Sequence, residues 1–424
     1  MAGEVILDAK LSYQNVLVSS ENKMVYLLID IRAGQNVSFG PAPLNLSIVI
    51  DKSGSMYAAE KLEYVIDAVQ YVIDQLRPED IVSIVPFADK SRVLIPAGQI
   101  FDKESAKKMI RNIDQVDVGS GTEMLKGITA AVQEVKRNFS RDRTNHIVLL
   151  TDGLTLHENK CKEKCKETTE YGISFSTIGV GDDFNEKLLI DIANSCRGKS
   201  YYIDIPRDIP NIFAQELQGV QNVVVMSPVL KVKLMKDIDA RRVFKVKPLI
   251  TDLGMLPAVD KTITVPLSDL QKDEMQSSLF ELILPSRQAG TYRIARVEVI
   301  YSIPSAGVNN EVASQDILIN YTSDQALASI VNPQVMNVID LVSVFRQQTK
   351  ALELAQTGDK AKATKLLRSA ATTLLDHGHK ELADQALAEA QRIEKGGGAT
   401  AAGTKKLEYG TRKLTQLLDQ LPPM

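Results

Sequence analysis

The chain has 424 residues, which is more than one ordinary hydrophobic core organises, so we expect two or three domains. Hydrophobic residues make up 44% and charged residues 24% of the chain, which is typical of folded globular proteins. The 50 Lys and Arg against 53 Asp and Glu give a net charge of -3, which excludes the basic excess of nucleic-acid-binding proteins.

The cysteines and the termini bear on the compartment. Cys161, Cys165 and Cys196 are too few for a disulfide framework, which favours a reducing compartment. The first residues lack the positive region and apolar run of a signal peptide. No segment approaches the roughly 20 apolar residues that a membrane helix needs. We therefore expect a cytoplasmic protein with no membrane span.

Residues 1–41 form the first predicted part. Apolar residues alternate with polar ones in two runs separated by residues 19–23. The apolar residues of the two runs are Val16, Val18, Val25, Leu27 and Ile29. This period of two predicts a hairpin with one buried face. Gly40-Pro41-Ala42-Pro43 then ends the pattern, because proline removes a backbone donor and restricts its neighbour.

Residues 42–219 form the second part, in which short apolar runs alternate with amphipathic stretches. The predicted strands are 46–50, 81–87, 146–150, 173–180 and 200–203. The predicted helices are 61–76, 103–113, 124–138, 158–170, 186–195 and 209–218. Near-continuous apolar strands that alternate with helices indicate an α/β doubly wound fold, with a mostly parallel sheet covered on both faces.

Residues 220–322 return to alternation, and helical patterns are absent. The predicted strands are 229–234, 242–246, 262–265, 279–284 and 292–301. This texture predicts an antiparallel β-sandwich. Residues 1–41 have the same texture, so our hypothesis is that they complete the sandwich and that the α/β domain is an insertion in it.

Residues 323–424 form a helical domain rich in Ala, Leu, Lys, Glu and Gln. Gly358, Gly378 and the glycines at 396–398 punctuate it at spacings that suit helical hairpins. Residues 351–358 and 365–375 could form one tetratricopeptide-like pair, but a single repeat is weak evidence. A small helical bundle is the favoured interpretation.

Oxygen-bearing side chains follow two predicted strands and open one predicted helix. Strand 46–50 runs into Asp51, Ser53 and Ser55, strand 146–150 runs into Asp152, and Thr122 precedes the helix that begins near residue 124. Ligands of open α/β sheets lie at the carboxyl ends of the strands. A turn or a helix cap would explain Asp51 and Ser53 alone, but the three segments together favour a metal site.

The chemistry of this set selects the metal. Carboxylates and hydroxyls without imidazole or thiolate suit Mg²⁺ or Mn²⁺ rather than Zn²⁺, and Ca²⁺ is less favoured. At most two carboxylates leave a divalent ion incompletely neutralised. The ion would therefore keep waters, and one position would be open to an anionic oxygen from outside.

The three motifs resemble the metal-ion-dependent adhesion site of von Willebrand factor type A domains. They are Asp51-Lys52-Ser53-Gly54-Ser55-Met56, Gly121-Thr122 and Thr151-Asp152-Gly153. The resemblance covers about residues 42–219, and the sandwich and helices look like those of bacterial multidomain members. It implies that Ser53, Ser55 and Thr122 ligate the metal, and that Asp51 and Asp152 ligate it directly or through water.

The resemblance implies a non-enzymatic module in which the bound Mg²⁺ takes an Asp or Glu carboxylate from a partner protein. One alternative is a regulatory scaffold in which the helix at 209–218 shifts, or a co-factor subunit of a separate ATPase, since the chain has no P-loop. Another is a Mg²⁺-dependent phosphohydrolase with Asp51 as nucleophile. It is disfavoured because Ser53 stands where the second aspartate is expected.

Two weaker patterns also suggest ligands. His157, Cys161 and Cys165 have helical spacing for a thiolate–imidazole metal site, but no fourth ligand is evident and buried cysteines are common. Residues 119–122 read Gly-Ser-Gly-Thr like a phosphate-binding loop, but the Gly-Lys-Ser/Thr ending is missing. We expect neither to bind a ligand.

Overall fold

The structure is a computed structural model that describes residues 4–19, 21–34, 42–395 and 400–416. The chain forms two compact units. One lies within Ser38–Ser227 and Ser302–Asn309, and is called the α/β unit here. The other, the sandwich unit, lies within Met1–Val37, Pro228–Tyr301 and Asn310–Met424.

The described strands, in chain order, are β1 (Val5–Leu11), β2 (Asn15–Leu17), β3 (Lys23–Ala33), β4 (Leu44–Asp51), β5 (Ile81–Phe87), β6 (Ile95–Gln99), β7 (Thr144–Thr151), β8 (Ser174–Val180), β9 (Arg197–Ile203), β10 (Val223–Leu234), β11 (Asp239–Lys247), β12 (Thr251–Gly254), β13 (Ala258–Val259), β14 (Thr262–Pro266), β15 (Leu270–Gln271), β16 (Met275–Leu284), β17 (Gly290–Ile303) and β18 (Val308–Thr322). The described α-helices are α1 (Lys61–Gln75), α2 (Lys103–Arg111), α3 (Met124–Arg137), α4 (Glu158–Thr169), α5 (Glu186–Ser195), α6 (Ile209–Gln221), α7 (Gln325–Ala328), α8 (Pro333–Gln356), α9 (Lys360–Asp376), α10 (Lys380–Glu394) and α11 (Ala401–Arg412).

The α/β unit is built on one six-stranded sheet in the order β6-β5-β4-β7-β8-β9. Neighbours from β5 to β9 run parallel, and β6 pairs antiparallel with β5. Helices α1, α2 and α6 share a hydrophobic core with one face of the sheet, while α3, α4 and α5 contact the strands on the other. The doubly wound, mostly parallel sheet predicted from the sequence is confirmed.

Strand β6 was not predicted. It contains Pro96 and Gly98, and only Ile95 among its residues is buried. Proline has no backbone N–H to donate to a neighbouring strand, so within sheets it is tolerated mainly in edge strands, and β6 is an edge strand. A strand that buries one residue carries little periodic signal, which is why the pattern of apolar residues did not indicate it.

The sandwich unit contains two sheets. One has the order β1-β3-β16-β11-β12, and the other has the order β13-β14-β10-β17-β18-β2, with β15 beside β10. The predicted antiparallel sandwich is confirmed, although the short strand β2 pairs parallel with the end of β18. Strands β1 and β3 thus share a sheet with β16, whose residues lie about 250 positions after their partners on β3.

The predicted hairpin in residues 16–29 is wrong. Strand β2 pairs with β18 in one sheet, whereas β3 pairs with β1 and β16 in the other. Strand β3 is buried on both faces: Leu27, Ile29 and Ile31 are buried, and so is Leu28, which packs with the helices. Period-two alternation identified strands but not their partners, because the partners of β3 lie elsewhere in the chain.

Helices α8 to α11 form the predicted helical bundle, which packs on the face of the β3 sheet that carries Leu28 and Phe244. Gly358 and Gly378 adopt φ values of +92° and +80° between consecutive helices, a left-handed conformation that ends helices at little cost only for glycine. The glycines at 396–398 lie outside the described residues. The domain boundaries at 41, 219 and 322 remain predictions. Within the described ranges, every helix is too short or too polar to cross a bilayer.

A buried contact between a carboxyl group and an imidazole attaches α6 to the α/β sheet. Glu216 Oε1 lies 2.8 Å from His146 Nε2 on β7, and Glu216 Oε2 accepts a 2.6 Å hydrogen bond from the Tyr201 hydroxyl on β9. Burial alone would raise the pKa of Glu216, but the adjacent His146 imidazole outweighs it and lowers the pKa to about 2. Folding therefore favours the ionised form of this carboxyl.

We predict that Glu216→Gln destabilises the α/β unit by about 2 kcal/mol at neutral pH, because it removes the charged acceptor that the buried His146 and Tyr201 side chains contact. Because the pKa of Glu216 is lower in the folded than in the unfolded protein, its ionised carboxylate stabilises the fold at pH values above the unfolded pKa of about 4.5. This stabilisation is lost as the pH falls from about 4.5 towards about 2. The difference between variant and natural protein should shrink over that window in urea denaturation followed by circular dichroism. Glu163→Gln, at an exposed position of α4, is the control. A difference under about 0.5 kcal/mol at neutral pH would contradict the prediction.

Candidate metal centre

The sheet brings the predicted ligand segments to one edge. Strand β4 lies between β5 and β7, and Asp51 at its carboxyl end stands opposite Phe87, the last residue of β5. Ile50 stands opposite Leu150, so Asp152 follows the neighbouring parallel strand at nearly the same level. The strand ends therefore place both aspartates side by side, as expected of parallel strands.

Asp51 is fully buried, and both of its carboxylate oxygens accept hydrogen bonds. Oδ1 accepts from the Ser53 backbone N–H at 2.8 Å, and Oδ2 accepts from the Thr151 hydroxyl at 2.5 Å. Burial raises the pKa of Asp51 to about 6, and the hydrogen bonds from Thr151 and Ser53 partly oppose this rise. A carboxylate kept in such a place costs folding free energy, which is characteristic of functional sites.

A chain of hydrogen bonds joins the two serines to the second aspartate. Ser53 Oγ and Ser55 Oγ are 3.1 Å apart, and Ser55 Oγ donates to Asp152 Oδ1 at 2.7 Å. Ser53 and Asp152 are 2% and 1% exposed, whereas Ser55 is exposed. The cluster therefore opens to solvent on the side of Ser55.

Thr122 reaches the same cluster from the loop before α3. A side chain at Gly153 would lie 3.3 Å from Thr122 Oγ1, so this hydroxyl is next to the residue that follows Asp152. The Gly54 N–H donates to the Ser120 carbonyl at 3.0 Å. This hydrogen bond joins the loop that carries Thr122 to the loop that carries Ser53 and Ser55, called the serine loop here. The structure thus brings all five predicted residues together, although whether they bind a metal stays a prediction.

Lys61 is a member of the cluster that sequence reasoning missed. Its Nζ donates to Asp152 Oδ2 at 2.6 Å, and its side chain is only 15% exposed. A 3₁₀ helix, Gly54–Glu60, precedes it, and Ala59 and Glu60 have φ values of +53° and +57°. Two successive non-glycine residues in the left-handed region are strained, and such strain is concentrated at functional sites. Nothing in the local sequence predicts this turn.

Asp89 is a second residue that the sequence analysis missed. It follows the carboxyl end of β5, and its Oδ2 accepts hydrogen bonds from the backbone N–H groups of Ser120 at 2.9 Å and Gly121 at 3.2 Å. These hydrogen bonds lower the pKa of Asp89. The loop that resembles a phosphate cradle therefore binds a carboxylate of its own chain, which positions Thr122. The position of Asp89 just after the end of a strand was the signal from which the sequence could have identified it.

The two cysteines of α4 lie in the protein interior. Cys161 and Cys165 are fully buried, whereas His157 is exposed at the start of the helix. Burial raises the pKa of the Cys161 thiol to about 12, which disfavours the thiolate that a metal requires. These cysteines therefore serve as small apolar residues between the helix and its neighbours.

The cluster suits a hard divalent cation. Its donors are two carboxylates and three hydroxyls, all oxygens, and Asp152 already pairs with one cation, the Lys61 ammonium. Across the described ranges there is no grouping of three or more His, Cys, Asp and Glu residues with metal-binding geometry, so sites rich in carboxylate or thiolate are not present there. Asp51, Ser53, Ser55, Thr122 and Asp152 are the residues that would hold an ion here.

Models of two known families match separate parts of this chain. A family model described as von Willebrand factor type A domain matches residues 45–215, which include all five candidate ligands. A second, described as Sll0103-like, C-terminal alpha-helical domain, matches residues 333–417. The Synechocystis protein named sll0103 is 28% identical over 421 residues, which cover 98% of this chain and 96% of that protein.

Solved structures share the whole fold. A von Willebrand factor type A protein from Catenulispora acidiphila has a TM-score of 0.80 at 17% identity, and the match covers 97% of each chain. The ArnB paralog VWA2 from Sulfolobus acidocaldarius has a TM-score of 0.63 at 16% identity, covering 97% of this chain and 99% of that one. At these identities the likeness concerns the fold alone.

Proposed function

This chain contains a von Willebrand factor type A domain, and on that premise we propose that it is a non-enzymatic interaction module in which bound Mg²⁺ accepts a carboxylate from a partner protein. The observation that carries the proposal is the clustering of Asp51, Ser53, Ser55, Thr122 and Asp152 at one sheet edge. A divalent ion there would supply one open coordination position to an anionic oxygen.

The residue two positions after Asp51 favours binding over catalysis. Ser53 supplies a neutral hydroxyl where a phosphohydrolase with Asp51 as nucleophile is expected to have a second aspartate as general acid and base. The three hydroxyl ligands are neutral, and the Lys61 ammonium offsets one of the two carboxylate charges, so a divalent ion would keep part of its charge uncompensated. An Asp or Glu side chain from a partner would supply the missing negative charge, which is the reason for proposing a protein ligand.

The proposal predicts that Mg²⁺ and a carboxylate bind cooperatively. Short synthetic peptides with one central Glu should tighten Mg²⁺ binding in isothermal titration calorimetry of the full chain, because linkage between two ligands is reciprocal. The same peptides with Gln in place of Glu should have no effect. Peptide binding that persists in excess chelator would overturn the proposal.

Lys61→Met is expected to tighten Mg²⁺ binding by at least about tenfold, because the ammonium on Asp152 competes with the metal and repels it. Titration calorimetry with Mg²⁺ or Mn²⁺ measures this change. Lys162→Met removes a lysine paired with Asp191 on the same unit and should leave the affinity unchanged. Unchanged or weaker binding by the Lys61 variant would show that the lysine supports the site rather than competing for it.

A further inference from the structure

The loop after β7 displays two leucines to solvent. Leu154 is 63% and Leu156 is 82% exposed, whereas Thr155 between them is 8% exposed. The Thr155 hydroxyl accepts a 3.3 Å hydrogen bond from the Met124 backbone N–H at the start of α3. The buried threonine thus fixes the loop, and its two neighbours point away from the core.

The loop is also held at its beginning. The Gly153 N–H donates to the Thr151 hydroxyl at 3.2 Å, and Asp152 is fixed by Ser55 and Lys61. An exposed leucine forgoes about 1.5–3 kcal/mol of burial free energy. Large apolar side chains displayed together on an anchored loop indicate a contact surface rather than incidental exposure.

These leucines border the metal site. Leu154 is two residues beyond Asp152, so the two Cα atoms are at most about 7 Å apart. The serine loop contributes a third apolar group, because Tyr57 lies two residues beyond Ser55 and is 53% exposed. Lys52 Nζ lies 5.5 Å from the centre of the Tyr57 ring, which adds positive charge on that side.

We propose that Tyr57, Leu154 and Leu156, called the apolar rim here, select partners in which large apolar side chains flank the metal-bound carboxylate. The inference rests on the proposed function and names its partner class, an extended segment of another protein with Leu, Ile or Phe near an Asp or Glu. An extended chain advances about 3.3 Å per residue, so apolar residues two to four positions from the carboxylate reach the rim. The Lys52 ammonium beside Tyr57 complements the acidic residue of such a segment.

The test compares synthetic peptides by fluorescence anisotropy with the full chain in Mg²⁺. One has Glu with Leu two positions away on each side, one has Ser at those flanking positions, and one keeps Leu but has Gln for Glu. The natural protein should bind the Leu-flanked Glu peptide at least about tenfold more tightly than the Ser-flanked one. The double variant Leu154→Ser, Leu156→Ser should bind both Glu peptides equally, and still only in Mg²⁺.

Phe101→Ser is the matched control. Phe101 is 89% exposed, and it follows β6, whose Gln99 pairs with Ile81 at the start of β5, so it lies at the opposite edge of the sheet. This variant should keep the preference for Leu. Equal binding of the two Glu peptides by natural protein, or a preference that survives in the double variant, overturns the apolar rim alone. Absence of binding by both Glu peptides at millimolar concentration overturns the apolar rim and the proposed function together. Binding of the Gln peptide or binding in chelator overturns the proposed function instead.

Discussion

Asp51→Asn is expected to abolish the response to Mg²⁺ without harming the fold. Asparagine has the same shape, so its oxygen can accept from Ser53 N–H while its amide donates to the Thr151 hydroxyl. The variant loses a full negative charge from the candidate site, and Mg²⁺ affinity should fall at least about a hundredfold. Because a buried carboxylate is costly, the variant should be as stable as the natural protein in chelator, or more so.

Two measurements separate these effects. Calorimetric titration reports Mg²⁺ affinity, and thermal unfolding with and without Mg²⁺ reports the stabilisation by bound ion, about 2.7 kcal/mol at a hundred times the dissociation constant. The natural protein should unfold at a higher temperature in Mg²⁺, and Asp51→Asn should unfold at the same temperature in both buffers. A preserved Mg²⁺ response in this variant would remove Asp51 from the metal site.

Asp80→Asn provides the converse pattern. Asp80 is 1% exposed, and its oxygens accept from the Leu44 N–H at the start of β4 and from Arg77, so it lies at the sheet edge away from the site. This substitution weakens a buried ion pair and should lower the unfolding temperature. It should leave the increase caused by Mg²⁺ intact. The two aspartates are both buried in one unit, and their opposite behaviour distinguishes a binding role from a structural one.

The candidate site was predictable where it depends on strand ends. Asp51 and Asp152 directly follow apolar runs, and parallel strands must bring such positions to one edge. Lys61 was not predictable, because its approach to Asp152 depends on left-handed residues at Ala59 and Glu60, where sequence rules expect glycine or asparagine. Asp89 could have been found, since it too follows a strand of the same sheet.

The sandwich unit was less predictable because its sheets are assembled from distant strands. The pairing of β3 with β16 joins residues about 250 positions apart, and local alternation contains no information about such partners. Strand β18 was missed for a different reason. Its first half, from Val308 to Gln315, is rich in polar residues with no buried side chain, so the period-two signal appears only near Ile317 and Ile319.

Gly198→Ala should cost the α/β unit at least about 3 kcal/mol of unfolding free energy. Gly198 lies where the register of β9 shifts against β8, and a Cβ atom there would be 1.7 Å from the backbone oxygen of Phe175. This overlap is with a neighbouring backbone, so it is relieved only by separating the two strands. In Gly98→Ala the nearest atom, the Pro96 carbonyl oxygen, is 3.8 Å from the new Cβ, and the cost should stay within about 0.5 kcal/mol. Urea denaturation of both variants by circular dichroism measures the difference, and equal stabilities would refute this close packing of β8 against β9.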